Sequence, residues 1–278
     1  MSTGETWGAA FASATTDSMS VYDRIMVPRI FDPWADLLLD CVGVAPGDAV
    51  LDVATGPGTV ARRAAVRAGA SGRVSACDLS PAMLVMATAK PPDGGAAPIT
   101  YLHGPAEALD VPDEAFDLAL CQQGLQFFPD RAGALTEMRR ALRPGGRLGV
   151  AVWCAIHECP PFEALAVAFE RVLGAEVALT FRTGPWGLPD PGELGRLVDA
   201  AGFTGVEVVR RTLPVVFEGG PSQLLATAGA AVVAPLIAAL DERGRADLLA
   251  AATEALAPLT DAGAVRSELA SHVVTARR

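Results

Sequence analysis

The residues best suited to chemistry in this chain are two aspartates and the glycine bend between them. Val50-Leu51-Asp52-Val53 is a short apolar run tipped by a carboxylate. It breaks into Ala54-Thr55-Gly56-Pro57-Gly58 and continues as a helical stretch. Gly56 and Gly58 carry no Cβ, so the backbone can bend tightly there and approach a ligand closely. The helix that follows aims its free N–H groups and positive dipole end at the same place. Such a bend is a cradle for a nucleotide-like cofactor, and a tight turn with no ligand is the plainer alternative.

Asp52 bears on which cofactor. A glycine turn after a strand also fits dinucleotide-binding proteins. A pyrophosphate is anionic, however, and a carboxylate two residues before the turn has the wrong sign for it. A cofactor with an ammonium and a sulfonium suits that charge, so S-adenosylmethionine fits better than a nicotinamide dinucleotide. The next apolar run, Arg73-Val74-Ser75-Ala76-Cys77-Asp78, ends in an acid 20 residues after Gly58. A carboxylate at that strand tip can accept hydrogen bonds from both ribose hydroxyls. Ser80 then serves as a helix N-cap with Pro81 at the first helical position. Met83 and Leu84 on that first turn are placed to cover one face of an adenine ring, although core packing explains Met83 equally well.

Four blocks extend the pattern over residues 48–153: LDVATGPG at 51–58, ACDLSPAML at 76–84, GPAEALDVPDEAFDLALCQQGLQFFPD at 104–130 and ALRPGGRLGVAVW at 141–153. In order and spacing they resemble the class I S-adenosylmethionine-dependent methyltransferases, especially the ubiquinone/menaquinone C-methyltransferase-like group. The resemblance implies S-adenosylmethionine as cofactor, S-adenosylhomocysteine as product, and a cofactor set of Tyr22, Asp52, Ala54, Thr55, Gly56, Gly58, Asp78, Leu79, Met83, Pro105, Ala106, Glu107 and Cys121. Within it, Tyr22 closes over the methionine part, and a backbone carbonyl near Cys121 receives the ammonium. Two positions depart from the family pattern. Ala54 stands at the family's first glycine, a small-for-small exchange. Pro105 stands where the family often has an acid facing the adenine amino group, which leaves that contact to the backbone of Ala106, with Glu107 as helper.

Methyl transfer needs a nucleophile held roughly 3 Å from the methyl carbon, in line with the departing sulfur. A general base helps where the nucleophile is a hydroxyl of high pKa. The chain has three histidines. His103 reads as structural or adenine-adjacent and His272 as a satisfied core residue. His157, in the loop after the fifth strand, is the candidate base or substrate contact. Gln122 and Gln126 can donate to or accept from a substrate oxygen, whereas Gln123 reads as a loop or helix cap. Phe127 and Phe128 continue that wall unless their rings face the core. The five cysteines show no metal spacing, and no metal is expected. Cys154 and Cys159 flank a loop near the active face as the only candidate thiols. Trp7 and Phe11 join Tyr22 as aromatics of a covering segment, and Arg29 is either an anion contact or a surface ion pair.

Strands are expected at 48–53, 73–77, 98–102, 116–121, 147–153, 205–213 and 265–276, with helices at 58–69, 81–89, 131–143, 161–173 and 191–201. Residues 21–42 make one or two helices broken near Pro28 and Pro33. Residues 220–260 are mostly helical and too long for an ordinary connection. This alternation implies an α/β fold with a mostly parallel sheet covered on both faces. The expectation is a Rossmann-like, seven-stranded sheet in one methyltransferase domain over 1–278. The resemblance adds an antiparallel last strand, an N-terminal helical lid at 1–42, and a helical cap from 155–200 and 217–262. Ligands in such sheets bind beyond the strands' carboxyl ends, where Asp52, Asp78, Glu107, Cys121 and Trp153 all fall.

A net charge of −10 argues against nucleic acid as partner. No apolar run reaches the roughly 20 residues that cross a bilayer, and the first residues lack a signal-peptide pattern, so cytoplasmic residence is expected. The partner expected is a small, largely apolar metabolite, methylated on O, N or C, in bacterial secondary metabolism. Composition does not decide between monomer and homodimer. Two other functions remain open: a cofactor-binding protein of the same fold that catalyses a cyclisation, and an NAD(P)-dependent oxidoreductase.

Overall fold

A computed structural model describes residues 21–92, 94–230 and 233–278. Trp7 and Phe11 lie outside the described residues. The chain enters as a π-helix, Tyr22–Phe31, that runs without interruption into helix α1, Asp32–Val42. The break expected at Pro28 and Pro33 does not occur. Pro28 sits inside the wider helix, where the Asp32 N–H bonds to Val27 O, and Pro33 occupies the first turn of α1, where its missing N–H has no intrahelical role.

Five parallel strands follow. They are β1 Ala49–Val53, β2 Arg73–Asp78, β3 Ile99–His103, β4 Phe116–Gln122 and β5 Leu142–Trp153. Helices α2 Thr59–Ala68, α3 Pro81–Thr88 and α4 Arg131–Ala141 lie between consecutive strands everywhere except between β3 and β4. All five residues of β1 are buried, the condition of a strand with both faces covered. Leu118 and Leu120 of β4 pack into one core with Trp34 and Leu38, while Ala119 and Cys121 pack into a second core with Leu135 and Met138. The two-residue period of the strand thus divides the interior into two layers.

Beyond β5 lie α5 Pro160–Leu173, α6 Ala175–Thr183, α7 Pro191–Ala200, β6 Thr204–Phe217, α8 Gly220–Ala226, α9 Ala234–Ala238 and α10 Glu242–Leu256. Two strands, β7 Thr260–Asp261 and β8 Ala264–Arg277, complete the sheet. Its order is β3-β2-β1-β4-β5-β8-β6, with β7 paired to β8. β8 runs antiparallel to both β5 and β6, and β6 is an edge. The eighth strand, beyond the seven expected, is the short β7. It forms a hairpin with β8 through Ala262 and Gly263, whose φ values of 47° and 83° are those of a primed turn.

The helix expected at 131–143 ends at Ala141. The β4–β5 register then jumps from Phe116↔Leu142 to Leu118↔Arg147, so the Arg-Pro-Gly-Gly segment bulges out of the ladder. Helix α5 packs against both α6 and α10, which builds a helical layer beside the sheet. Among the described residues no helix is long and apolar enough to cross a membrane.

Candidate active site

The strand order reverses between β1 and β4, which opens a crevice at their carboxyl ends. A cavity of about 500 Å³ occupies it. Asp78, at the tip of β2, holds the crevice together. Its Oδ2 accepts the Gly56 N–H at 2.7 Å and its Oδ1 the Ser80 N–H at 2.8 Å. Ser80 caps α3 in turn through the Met83 N–H. Burial raises the Asp78 carboxyl above the ordinary range, against the lowering influence of those two N–H groups.

Asp52 lies fully buried behind the bend. Its Oδ2 accepts the Thr55 hydroxyl at 2.6 Å, and its Oδ1 has no partner. Loss of solvent pushes its carboxyl up to about 7; the Thr55 hydrogen bond opposes the rise and the Asp78 charge adds to it. Gly58 takes a φ of 81°, and a Cβ there would stand 2.8 Å from an Arg62 guanidinium nitrogen and 3.1 Å from Ala87 Cβ. Ala54 has a φ of 58°, the left-handed region that suits the glycine the family carries there. Gln123, across the crevice, has a φ of 55°. Two residues other than glycine in this region, on facing strand ends, are a marker of backbone strain at a site.

Of the residues selected from sequence, Tyr22, Ala54, Gly56, Asp78, Leu79, Met83, Pro105, Ala106, Glu107 and Gln122 line the cavity. Asp52, Thr55 and Gly58 stand behind the bend as its supports. The Tyr22 ring stacks on Phe31 at 4.9 Å, and burial, with the charges of Asp78 and Asp23, raises its hydroxyl. Asp23 pairs with Lys90 beyond α3, which ties the π-helix to the far side of the crevice. Arg29 forms a surface ion pair with Glu218 at 2.9 Å.

Three more selected residues, besides Asp52, Thr55 and Gly58, lie outside the wall. Cys121 is fully buried in the second core, and burial pushes its thiol up to about 12. Its neighbours Gln122, Gln123 and Gly124 form the wall instead. Gln126 is buried and turned toward Gln123, whose Oε1 receives its Nε2 at 3.5 Å. His157 is exposed on the short turn Ile156–Glu158. That turn faces outward because Cys154 and Cys159 on either side are the residues it buries, the first tied to β8 through Ala270 O. Burial raises both of those thiols, Cys154 to about 12, so neither is a ready nucleophile. His103 contacts Leu79 O at 3.1 Å and His272 contacts Pro189 O at 3.0 Å.

The half of the cavity beyond β4 is aromatic. Trp153 at the tip of β5 lines it together with Phe31, Phe162, Phe181 and Trp186. Phe162 and Phe181 each approach the Trp186 ring to 5.4 Å. Apart from Trp153, sequence reasoning did not single these out. Phe162 lies on the apolar face of an amphipathic helix, and Trp186 sits in a Gly-Pro-Trp-Gly loop that gives no chemical signal. Among the described residues no cluster of His, Cys, Asp and Glu could hold a metal ion.

The cradle fits a cationic, adenosine-bearing methyl donor on its own geometry. Asp52 sets a carboxylate behind the bend, where the Thr55 hydroxyl and the Ala61 N–H are directed at it. Asp78 keeps lone pairs free beside its two N–H bonds for ribose hydroxyls. Leu79 and Met83 supply an apolar cover.

A match to the ubiE/COQ5 methyltransferase family spans residues 8–217. The chain is 39% identical over 129 residues to a ubiquinone/menaquinone biosynthesis C-methyltransferase of Serratia proteamaculans, covering 46% of this chain and 51% of that protein. Against several curated relatives it spans about half their length. A demethylmenaquinone methyltransferase of Bacillus velezensis is 32% identical over 184 residues, 63% of this chain and 78% of that one. Among solved structures, a Haemonchus contortus phosphoethanolamine N-methyltransferase bound to S-adenosylmethionine superposes with a TM-score of 0.59 at 18% identity, covering 95% of this chain and 57% of that one. The [4+2]-cyclase SpnF does so with a TM-score of 0.52 at 21% identity, covering 89% and 81%. At such identities these two establish the fold alone. By its sequence match, and with the fold in agreement, the chain belongs to the ubiE/COQ5 methyltransferase family.

Proposed function

We propose that the chain transfers the methyl group of S-adenosylmethionine to a small, largely apolar, ring-bearing acceptor. The observation that carries this reading is the division of one cavity at the β1/β4 crossover. An acid-supported glycine cradle fills one half, and Trp153, Phe162, Phe181 and Trp186 wall the other. The cradle would hold the cofactor through Asp78, the Gly56 bend and the Met83 cover. The sulfonium supplies an activated methyl group, and the chain's own residues align the acceptor and keep water out.

An acceptor of bacterial secondary metabolism and a quinone precursor both match this wall. The relatives named for ubiquinone and menaquinone biosynthesis favour the quinone-like ring, methylated on carbon. Among the described residues the titratable groups of the wall are Tyr22, Cys77, Asp78 and Glu107. Of these, Tyr22 adjoins the aromatic half through Phe31, and burial raises its hydroxyl, so the described wall offers no ready general base there. A ring carbon activated by its own hydroxyl needs none.

The test is incubation with methyl-labelled S-adenosylmethionine and a panel of quinols, phenols and amines. Label on a quinol ring carbon, with release of S-adenosylhomocysteine, is the expected result. A tight cofactor complex that never yields S-adenosylhomocysteine would favour a non-methylating reaction such as a cyclisation. Calorimetric binding of NADPH in preference to S-adenosylmethionine would favour an oxidoreductase, against which the carboxylate beneath the bend already argues.

A further inference from the structure

The loop between α6 and α7, residues 184–190, brings Pro185 and Trp186 into the cavity wall. Trp186 packs in the core that holds Trp34 and Leu38. Leu188, fully buried two residues on, packs in the core of Leu135 and Met138. The loop therefore crosses from one layer of the interior to the other. Two side chains from separate elements hold its backbone on either side of Leu188. Arg131, in the first turn of α4, donates from Nη2 to Gly187 O at 3.3 Å and to Gln126 O at 3.0 Å. Gln126 precedes Phe127 and Phe128, which line the same cavity, so one guanidinium joins two backbone segments of the wall. Its Nη1 faces Glu193 of α7 at 3.6 Å. His272, buried on β8, meets Pro189 O at 3.0 Å through Nε2, and a carbonyl only accepts, so that nitrogen carries the proton. The register partner of His272 on β5 is Val152, next to Trp153. The loop that carries Trp186 is thus fixed to the strand pair that carries Trp153. The cradle has supports of its own, Asp78 with Gly56 and Ser80.

We propose that Arg131 and His272 are positioning residues for the acceptor: they pin the 184–190 loop so that Trp186 presents a fixed wall, which selects a flat ring over a puckered one. The proposal rests on the methyl-transfer reading, in which the aromatic half belongs to the acceptor. Each side chain acts through a carbonyl of the loop rather than by touching the acceptor. Loops are the mobile parts of a fold unless they are tied down. A wall fixed beforehand takes a rigid ring with little ordering at the moment of binding, whereas a released loop must be ordered then. Its planar aromatic face also makes offset or edge contacts that a saturated ring cannot match. Loss of either pin lets Trp186 leave its place, so acceptor affinity and the preference for a flat ring fall together. The cradle keeps its supports, and cofactor affinity stays as it was.

The experiment measures calorimetric affinities of the full chain for 2-naphthol, for its saturated analogue decahydro-2-naphthol and for S-adenosylhomocysteine. Arg131→Met removes the guanidinium, and His272→Phe keeps a ring without the donor. Arg131→Lys keeps the charge near Glu193 without the fork that spans two carbonyls. Arg131→Met and His272→Phe should each weaken 2-naphthol about tenfold. Both should also shrink its advantage over the saturated analogue and leave S-adenosylhomocysteine unchanged, with Arg131→Lys between. Acrylamide quenching of Trp186, read against the same proteins carrying Trp186→Phe, should rise in each pin variant with no ligand present. The melting temperature reports whether a variant is folded, and where Arg131→Met is not, Arg131→Lys carries the test. Unchanged 2-naphthol affinity or unchanged quenching in the folded variants overturns the proposal. So does a parallel fall in acceptor and cofactor affinity, or a wild-type protein with no preference for 2-naphthol. Failure of S-adenosylhomocysteine to bind the wild-type protein overturns the methyl-transfer reading instead, while 2-naphthol and the quenching still test the two pins.

Discussion

Asp78 Oδ2 accepts the Gly56 N–H at 2.7 Å, so the acid at the tip of β2 holds the bend that follows β1. One side chain thus shapes the cradle and presents its remaining lone pairs to whatever the cradle binds. Asp78→Ala removes both, and Asp78→Asn keeps the shape of the group without its charge. Hydrogen bonds to a charged group contribute about 1.5–3 kcal/mol. The alanine variant should therefore lose roughly 10- to 100-fold in S-adenosylhomocysteine affinity by calorimetry, and the asparagine variant less. Unchanged affinity in both would remove Asp78 from the site.

Asp52 gives a pH dependence with a definite sign. Its carboxyl is raised to about 7 by burial, from an ordinary 3.8. The folded apo protein thus binds a proton that the unfolded chain has already lost. Its contribution to stability is full below pH 4 and is lost as pH rises toward 7, by about 4 kcal/mol at most. A cationic cofactor reverses the preference, since it favours the carboxylate. Affinity for S-adenosylmethionine should rise between pH 6 and 8, with proton release on binding at pH 7. Calorimetry in buffers of different ionisation enthalpy measures that release. Asp52→Asn should abolish the release and flatten the loss of apo stability over the same range.

Ala54 and Gly58 predict opposite outcomes from similar exchanges. Ala54 holds a φ of 58°, which disfavours a residue with a Cβ by about 1–2 kcal/mol. Ala54→Gly should raise the melting temperature by a few degrees, the entropy of the freer unfolded chain taking back part of the gain. Gly58→Ala combines a φ of 81° with a Cβ contact of 2.8 Å to Arg62 and should lower both melting temperature and cofactor affinity. Thermal denaturation with and without S-adenosylhomocysteine reads both.

The Asp23–Lys90 pair links the π-helix to the end of α3 across the cofactor half of the crevice. Lys90 is partly exposed, and such pairs contribute about 0.2–1 kcal/mol. Lys90→Ala should speed S-adenosylhomocysteine dissociation severalfold in stopped-flow displacement, more so at low salt, with little change in melting temperature. A dissociation rate insensitive to both the substitution and salt would separate the helix from the cofactor.

Much of the architecture was legible in the sequence because its signals are local. The apolar run, acid and glycine turn of 50–58 and the acid-Ser-Pro sequence of 78–81 carry their geometry within a few residues. They folded as β1–α2 and β2–α3 with ends shifted by one residue at most. What was missed depends on distant partners. β7 is a two-residue strand that exists only because β8 lies beside it. Pro28 signals a break, yet neighbouring hydrogen bonds reach one residue further and the helix continues. Phe181 and Trp186 became cavity walls through the packing of α5 against α6, and aromatic residues on such segments look like ordinary core. His157 shows the converse: a residue rich in chemical possibility lies near the right strand and faces solvent.

The order of strands bears on how the chain comes off the ribosome. β8, latest of the eight in chain order, is inserted between β5 and β6 rather than added at the rim. Until it emerges, β5 has no neighbour on that side and β6 has no ladder at all. Completion of the sheet must therefore wait until β8 has been synthesised, and until then the nascent polypeptide carries an open seam between β5 and β6.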